Sequence, residues 1–284
     1  MEQMFSVKYR VSDDPEHEEL HSHDAYEIYM FHRGNCRYLI NREIYDLLPG
    51  DILLMDGLAL HKPNIPEDSE YIRSHLHFSP ETVEEILRTM KATKLLNVFQ
   101  VCHHYLIRTK SNASLLDVEN IFKMMDQVMR ATDISEIEKE WEMKLLTGQL
   151  LVKVNHLLHD TLAFDKKDKS GKAIHAEEIA TYIQKHSQHR LSISEIAVAL
   201  NLNKSYISHV FKEMTGFTVM EYVMACRMKQ AKYLLEAEEK MAIQQIAFKC
   251  GFENASHFSR YFKEKEGVSP KEFRKKRLEL FKKD

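Results

Sequence analysis

The sequence predicts an α+β protein of two domains, a small N-terminal β-barrel with flanking helices and an all-helical C-terminal domain. Three observations support this division. All prolines but Pro270 lie before residue 81, so residues 81–269 lack the residue that most often ends or kinks a helix. The chain before residue 81 instead contains short β-branched, aromatic or alternating runs, which are typical of strands. Residues 190–274 contain one pattern twice, which indicates a repeated structural unit.

The strands of the barrel are predicted from runs in which apolar and polar residues alternate, or in which β-branched and aromatic residues dominate. Turn residues separate these runs, at Gly34-Asn35 and at Pro49-Gly50-Asp51. Short strands joined in this way are expected of a small all-β barrel. The predicted strands cover residues 25–32, 37–47, 51–55 and 71–78.

The barrel region contains a His-x-His-x-x-x-Glu pattern, formed by His21, His23 and Glu27, and a later histidine, His61. This arrangement resembles the two sequence motifs of the cupin fold. Positions 21, 23 and 27 are all odd, so in continuous β structure these side chains share one face and converge inside a barrel. The second motif departs from the cupin pattern at two positions shortly before His61, where proline and glycine are usual.

Three interpretations of these side chains stay open. They form an effector pocket in which they hydrogen-bond a small polar ligand. Alternatively, three imidazoles and one carboxylate bind a divalent transition metal. The third interpretation is that the histidines lie at the surface without a ligand. The predicted metal ligands are His21, His23, Glu27 and His61, and the predicted effector-binding residues are these four together with His75 and His77.

Helices are predicted after the barrel. Ser79 and Pro80 have the N-cap and first-turn residue types of a helix start, and this helix is expected to reach about residue 97. Residues 99–108 fit either a helix or a strand. A further helix is predicted from one apolar stripe at helical spacing, formed by Val118, Phe122, Met125 and Met129.

A longer helix is predicted from about residue 134 to residue 159, because its apolar residues recur at spacings of three and four. Such a seam packs either on the barrel or on a second copy of the chain. The seam residues are Met143, Leu146, Leu150, Val154 and Leu157.

A charged segment, residues 165–172, is predicted to be the linker between a domain of residues 1–164 and a domain of residues 173–284. The two parts of the chain differ in charge. Residues 172–284 carry 20 basic and 14 acidic side chains, a net +6, whereas residues 1–171 carry 20 and 29, a net −9. A basic C-terminal domain favours nucleic acid as its partner.

Each copy of the repeated pattern predicts two short helices joined by a tight turn, at about residues 192–216 and 241–267. In each copy the second helix has an apolar face and an opposite face that is small and polar at first and basic further on. A helix of this kind suits the major groove of DNA. The residues predicted to contact base edges are Ser205, Tyr206, Ser208, His209, Ala255, Ser256, His257 and Arg260, and those predicted to contact phosphates are Lys204, Lys212 and Lys263.

A single helix is predicted between the copies, because no glycine or proline interrupts residues 219–239. About 20 residues at ~1.5 Å each span ~30 Å. That length is close to the ~34 Å between successive major-groove faces on one side of B-DNA. The spacer therefore predicts that the two copies bind adjacent turns of one double helix.

The second copy carries a long motif, which reads Ile243-x-x-Ile246-Ala247-x-x-x-Gly251-Phe252-x-x-x-Ser256-x-Phe258-Ser259-Arg260-x-Phe262-Lys263-x-x-x-Gly267-x-x-Pro270-x-x-Phe273-Arg274. This motif resembles the signature of the AraC/XylS family of bacterial transcription regulators, and with the spacer the match covers roughly 100 of the 284 residues. In the first copy, His209 stands where the family usually has arginine. That departure removes the guanidinium that contacts guanine in a bidentate manner.

The resemblance implies a sequence-specific regulator that binds double-stranded promoter DNA and contacts RNA polymerase. It also implies a cupin-like sensor for a sugar or another small metabolite, and a homodimer formed by the N-terminal domain. No stretch is apolar enough to cross a bilayer, and the four cysteines form no Cys-x-x-Cys pair. A reduced cytoplasm and no membrane partner are therefore expected.

The main alternative is a metal-dependent cupin enzyme, or a metal sensor, joined to the same DNA-binding module. The candidate ligands have no separate nucleophile or base beside them in the sequence, so we expect no enzymatic activity. A DNA-alkylation repair protein needs an activated cysteine, and the four scattered cysteines here belong to no Cys-x-x-Cys pair or metal-ligand pattern that would lower a thiol pKa. A helical bundle that binds another protein would not explain the duplicated turn with polar outer faces.

Overall fold

The computed structural model describes residues 5–12, 25–56, 59–66, 69–108, 112–159 and 169–281. The chain forms two compact units, one of Met1–Ile40 with Tyr45–Asp168 and one of Asn41–Ile44 with Lys169–Asp284. The first unit contains the strands and the second is helical, as predicted. Among the described residues, no helix combines the length and the apolar character that crossing a membrane requires.

The first unit contains two sheets. One has five strands in the order β1-β7-β2-β5-β8, and the other has three in the order β4-β3-β6. Within the described residues the two sheets share no strand, so the closed barrel stays a prediction. The strands are β1 (Phe5–Val11), β2 (Tyr26–Gly34), β3 (Arg37–Ile40), β4 (Glu43–Asp46), β5 (Ile52–Met55), β6 (His61–Asn64), β7 (Tyr71–Phe78) and β8 (His104–Ile107).

The strand predictions were correct in most places and wrong in one. The run 37–47 was predicted as one strand, but the structure has a hairpin, β3 and β4. Asn41 adopts a left-handed φ of +52° at this turn, a conformation that asparagine tolerates better than most residues. Strands β1 and β6 were not predicted. The ambiguous segment 99–108 contains the end of a helix followed by β8.

Strands β2 and β7 pair antiparallel and present two different faces. Even-numbered residues such as Ile28 and Leu76 lie in an apolar core with residues of the helices. Odd-numbered residues such as Tyr29 and Tyr71 pack with Tyr38 of the three-stranded sheet. The period of two along a strand therefore separates a helix-packing face from a face that lies between the sheets.

Helices cover the even-numbered face of the large sheet. The predicted start at Ser79 and Pro80 is confirmed, although the Ser79 hydroxyl donates to the Glu81 carboxylate and caps no backbone amide. The first helix is shorter than predicted, because Lys91 adopts a φ of +56°. The helices are α1 (Pro80–Thr89), a short 3₁₀ helix (Thr93–Leu96), α2 (Asn97–Cys102), α3 (Asn112–Arg130) and α4 (Glu136–His159).

The apolar seam of α4 packs inside its own unit. All five of its residues are buried in the core that the sheet and the other helices share. The seam is therefore an intramolecular one, and of the two interpretations of its spacing, packing on a second copy is wrong. A different face of α4 carries three exposed apolar side chains, Ile137, Trp141 and Leu145.

The second unit consists of seven helices among its described residues. The predicted capping boxes at Ser192 with Glu195 and at Thr218 with Glu221 are both present. In each, a hydroxyl and a carboxylate satisfy backbone amides that the first turn leaves without partners. The helices are α5 (Gly171–His186), α6 (Ile193–Leu200), α7 (Lys204–Thr215), α8 (Val219–Ala237), α9 (Ile243–Lys249), α10 (Ala255–Glu266) and α11 (Pro270–Phe281).

His32 lies in β2 at a register shift between β2 and β7. Its Nε2 is 2.7 Å from the hydroxyl of Ser74, and its ring makes an edge contact with Tyr9. Burial lowers the pKa of His32 to about 4, although the carboxylate of Glu119 acts in the opposite direction. The folded first unit therefore holds this imidazole in its neutral form.

We predict that the first unit loses stability as the pH falls from about 6.5 to about 4, because the unfolded chain then takes up a proton that folded His32 excludes. With ~1.36 kcal/mol per pKa unit, the fall from 6.5 to about 4 corresponds to about 3 kcal/mol, present above pH 6.5 and lost below pH 4. Urea unfolding can be followed by the fluorescence of Trp141, the only tryptophan. His32→Gln, whose amide can still reach Ser74, should show a smaller fall in stability between pH 7 and pH 4.5. An equal fall in both proteins would contradict the assignment.

Candidate functional site

The two helices predicted to enter DNA grooves, α7 and α10, begin and end in the same way. Asn203 caps α7 and accepts from the amide of Ser205 at 2.8 Å, and Asn254 caps α10 and accepts from the amide of Ser256 at 2.7 Å. Both helices end at a glycine in the left-handed conformation. These asparagine caps were not predicted, although asparagine directly before a helix is a strong N-cap signal.

The turns before α7 and α10 are also equivalent. Asn201 has a φ of +52° and Gly251, fifty positions later, has a φ of +84°. Both types of residue reach the left-handed region that ends the preceding helix. The caps that follow, Asn203 and Asn254, are fifty-one positions apart, so Glu253 is the extra residue of the second turn.

The buried faces of the two helices fix which side chains point outward. Ile207 and Phe211 of α7, like Phe258 and Phe262 of α10, are completely buried. Two of the predicted base-contacting residues, Tyr206 and Ala255, are half-buried. The other predicted DNA-contacting residues are exposed, namely Lys204, Ser205, Ser208, His209, Lys212, Ser256, His257, Arg260 and Lys263.

Two outward residues of α7 have partners that the sequence did not reveal. The Tyr206 hydroxyl lies 2.8 Å from Nδ1 of His175 in α5, and this bond uses either the donor or an acceptor site of the hydroxyl and leaves the other for a base contact. His209 lies one turn before Glu213, with Nε2 at 3.4 Å from a carboxylate oxygen. Lys172 donates to the same carboxylate at 2.7 and 2.9 Å. This pairing offsets a negative charge beside the predicted DNA-binding face.

In the first unit, the polar side chains of β2 and β7 form a ladder between the sheets. Glu27 is paired with His77, and the next pair of the same face contains His75. The Oε2 of Glu27 lies 3.1 Å from Nε2 of His61 and 3.3 Å from Nε2 of His77. Glu27 and His61 are 0% exposed. Four of the six predicted effector-binding residues therefore lie in or beside one buried layer.

The contact between the Glu27 carboxylate and Nε2 of His61 is attractive only if a proton lies between these two groups. The Nδ1 of His61 lies 2.7 Å from the carbonyl oxygen of Ala59, and a carbonyl only accepts, so Nδ1 donates. An attractive contact of Nε2 with the carboxylate then needs a second proton on one of the two groups. In either state the pair places polar atoms in the buried layer between the sheets.

Tyr38 adds a hydroxyl to this layer. Its ring stacks near His61, with the centroids 6.3 Å apart, and contacts Tyr29 edge to face. The hydroxyl is buried and has no hydrogen-bond partner among the residues that the structure describes. Burial, followed by the charge of Glu27, raises the pKa of Tyr38 well above its ordinary value. Tyr38 therefore keeps its proton and offers a donor that no acceptor of the described residues uses.

Arg73 also belongs to the odd-numbered face and is fully buried. Its guanidinium carbon lies 4.6 Å from the centroid of the Tyr71 ring, within the range of a cation–π contact. Neither Arg73 nor Tyr38 was predicted to belong to the site. The sequence shows that Arg73 and Tyr38 occupy an odd and an even position of their strands, but it does not show that they are buried, because burial depends on which strands pair.

The predicted metal site is only partly within the described residues. His21 and His23 lie outside them. In the part of the chain that the structure describes, no group of three or more histidine, cysteine, aspartate or glutamate side chains is arranged to hold a metal ion. The Oε2 of Glu27 lies within ion-pair distance of both His61 and His77, and the metal site with His21 and His23 stays a prediction.

Comparison with known families identifies both units. Residues 7–151 match the family described as the AraC-like ligand binding domain. The chain belongs to the AraC family. Residues 196–276 match a helix-turn-helix domain and contain α7, α8 and α10. This AraC-family protein is therefore a DNA-binding transcription regulator with a ligand-binding domain.

Two AraC-family relatives align over most of the chain. The Msm operon regulatory protein of Streptococcus mutans is 28% identical over 255 residues, which cover 89% of this chain and 84% of that protein. The HTH-type transcriptional activator RhaS of Mannheimia succiniciproducens is 24% identical over 264 residues, which cover 89% and 88%. Among solved structures, the C-terminal domain of AraT from Geobacillus stearothermophilus is 30% identical, covers 38% of this chain and 87% of its own, and has a TM-score of 0.35.

Proposed function

We propose that this regulator binds promoter DNA with α7 and α10 in successive major grooves and responds to a small polar effector, of the sugar class, held between its two sheets. The observation that carries the DNA part is the duplicated helix with the same cap, the same end and an exposed polar face. The 19 residues of α8 span about 28 Å at ~1.5 Å each, close to one turn of B-DNA.

Base recognition is assigned to the exposed side chains in the N-terminal two-thirds of each helix, and phosphate contact to the lysines. Arg260 follows Ser256 by one turn on α10, and Lys263 lies nearly one turn further. An arginine in the groove contacts guanine in a bidentate manner, whereas a lysine acts on phosphates as a point charge. The two side chains therefore make different contributions to one binding event.

We predict that Arg260→Ala weakens binding by about 1–3 kcal/mol and relaxes specificity at one base pair, because a directed donor is lost. Lys263→Ala serves as the matched variant. It should weaken binding to all sequences alike and lower the salt slope by about one ion. Binding of the full chain to all single-base variants of a selected operator, at three salt concentrations, measures both. An unchanged base profile for Arg260→Ala would refute the assignment.

The effector part of the proposal rests on the buried polar layer. A carboxylate, imidazoles and the unused donor of Tyr38 lie among aromatic rings. Hydroxyl groups of a sugar both donate and accept, so they suit a mixed set of this kind, and aromatic faces suit the apolar side of a sugar ring. We also propose that the two sheets form a cupin-like barrel, which would enclose such a ligand.

We predict that Tyr38→Phe weakens binding of the effector by about one order of magnitude and does not destabilise the free protein, because the lost hydroxyl bonds no group among the described residues. Tyr29→Phe is the matched control. It removes a hydroxyl that donates to Tyr71 at 2.8 Å, so it should cost about 1 kcal/mol of stability. Thermal-shift screening against sugars, followed by calorimetry, measures both quantities. A loss of stability in Tyr38→Phe without a change in affinity would contradict the proposal.

A separate measurement tests the metal alternative. Elemental analysis of the purified full chain shows whether a divalent transition metal copurifies. A stoichiometric metal that is lost in Glu27→Gln would favour a metal sensor, and turnover of a sugar by metal-loaded protein would favour an enzyme. A metal-free protein that binds a sugar supports the proposed effector site.

A homodimer is proposed through α4. Ile137, Trp141 and Leu145 are 56%, 57% and 61% exposed and recur every four residues, so they form one apolar stripe on the outer face. If two copies pair antiparallel about Trp141, Ile137 of one lies beside Leu145 of the other. The proposal includes RNA polymerase as a further partner, since one relative is named a transcriptional activator.

We predict that Leu145→Glu converts the dimer to a monomer, because it places a charge in an apolar interface. Sedimentation velocity measures the mass, and Trp141 fluorescence reports the change of environment. Leu48→Glu, which alters another exposed leucine of the same unit, should remain dimeric. A wild-type chain that is monomeric at micromolar concentration would exclude this interface.

A further inference from the structure

Helix α8 takes part in two separate cores. Its N-terminal half buries Tyr222, whose ring contacts Phe211 of α7 and whose hydroxyl accepts from Gln184 of α5. Its C-terminal half buries Leu235 in a core that contains Phe258 of α10. Helix α8 therefore connects the two helix-turn-helix units, and the contacts beside its middle set how the two units are arranged.

Arg227 lies near the middle of α8, between these two cores. Its Nε donates to the carbonyl of Ser187 at 2.8 Å, and an Nη donates to the carbonyl of His189 at 3.0 Å. Ser187 ends α5, and the segment after it leads into α6. Arg227 thus attaches the spacer helix to the C-terminal end of α5 and to the segment that leads into the first helix-turn-helix unit.

The same guanidinium also contacts the second helix-turn-helix unit. Its central carbon lies 5.9 Å from the centroid of the Phe252 ring, which belongs to the turn before α10. Gly251 brings that turn close to the end of α5. A Cβ at Gly251 would lie 2.6 Å from the carbonyl oxygen of Ser187 and 3.0 Å from Nε of Arg227, and its φ is +84°. One side chain therefore lies between the last turn of α5 and the turn before α10.

These contacts are directional. Carbonyl groups at the C-terminal end of a helix carry partial negative charge and have no partner within the helix, so a guanidinium satisfies them. The rigid fork of arginine fixes both distance and direction, which a flexible ammonium does not. The other bridge at this junction joins Arg190 and Glu253 at 3.8 Å, with 89% and 80% of the side chains exposed. Such an exposed pair contributes little.

We propose that Arg227 is a positioning residue that sets the distance and rotation between the two helix-turn-helix units. The proposal rests on the proposed binding of α7 and α10 to successive grooves. Inserting one base pair moves one groove face by ~3.4 Å and turns it by about 35° relative to the other. Only a fixed pair of helices can reject such a change, so Arg227 determines the operator spacing that the regulator accepts.

The experiment measures spacing discrimination by the full chain. An operator is first selected from random duplexes with the wild-type protein, and one or two base pairs are then inserted or deleted between its half-sites. The wild-type chain should bind the altered duplexes about tenfold more weakly or worse, the size of a typical base-pair mismatch. Arg227→Ala should bind native and altered spacings with nearly equal affinity, and bind each half-site alone as the wild type does. Arg227→Lys should restore part of the discrimination.

Two further variants sharpen the result. Arg190→Ala removes the same charge from the same junction without a buried contact, and it should keep wild-type discrimination. Gly251→Ala forces the second turn away from Ser187 and should lose discrimination as Arg227→Ala does. Unchanged spacing discrimination in Arg227→Ala would overturn the proposal. Loss of half-site binding in this variant would also overturn it, because Arg227 would then act within one helix-turn-helix unit. A wild-type chain indifferent to spacing would instead refute the two-groove binding itself.

Discussion

The periods of the strand and the helix are the constraint on which both units depend. A strand repeats every two residues, so β2 and β7 cannot place Ile28 and Glu27 on the same face. A helix repeats every 3.6 residues, so burying Ile207 and Phe211 leaves Ser208 and His209 at the surface. In the first unit both faces of the sheet are packed, and the odd-numbered one carries the polar side chains; in the second unit the apolar face is packed and the opposite face is exposed.

This constraint explains why much of the helical unit was predictable. The capping boxes at Ser192 and Thr218 and the outward face of α10 depend on residues within a few positions of each other, so the sequence alone contains the signal. The partners of Tyr206 and Glu213 are not close to them in the sequence, so they could not be predicted in this way. Each is contacted from α5, some thirty or forty positions away, and only the packing of helices brings them together.

The first unit was less predictable for the same reason. The odd positions of Glu27 and His77 correctly indicated a shared face, and the register of β2 with β7 sets them opposite each other. Spacing could not show that the seam of α4 packs within the chain, because a coiled coil and a buried helix have the same period. Nor could it show that Tyr38 would be buried, since that follows from two sheets packing together. A local pattern determines a face, and tertiary contacts determine what covers it.

The two functional regions differ in how completely their polar groups are satisfied. At the junction beside α8, the donors of Arg227 reach carbonyls of the same chain, so that geometry is set before DNA binds. Between the sheets, the Tyr38 hydroxyl has no acceptor among the described residues, and a buried donor without a partner costs about 1–3 kcal/mol. A ligand that supplies an acceptor recovers that free energy only when it is bound. Preorganisation thus suits the proposed match to a rigid duplex, and an unsatisfied donor suits the proposed effector site, which must distinguish the presence of its ligand from its absence.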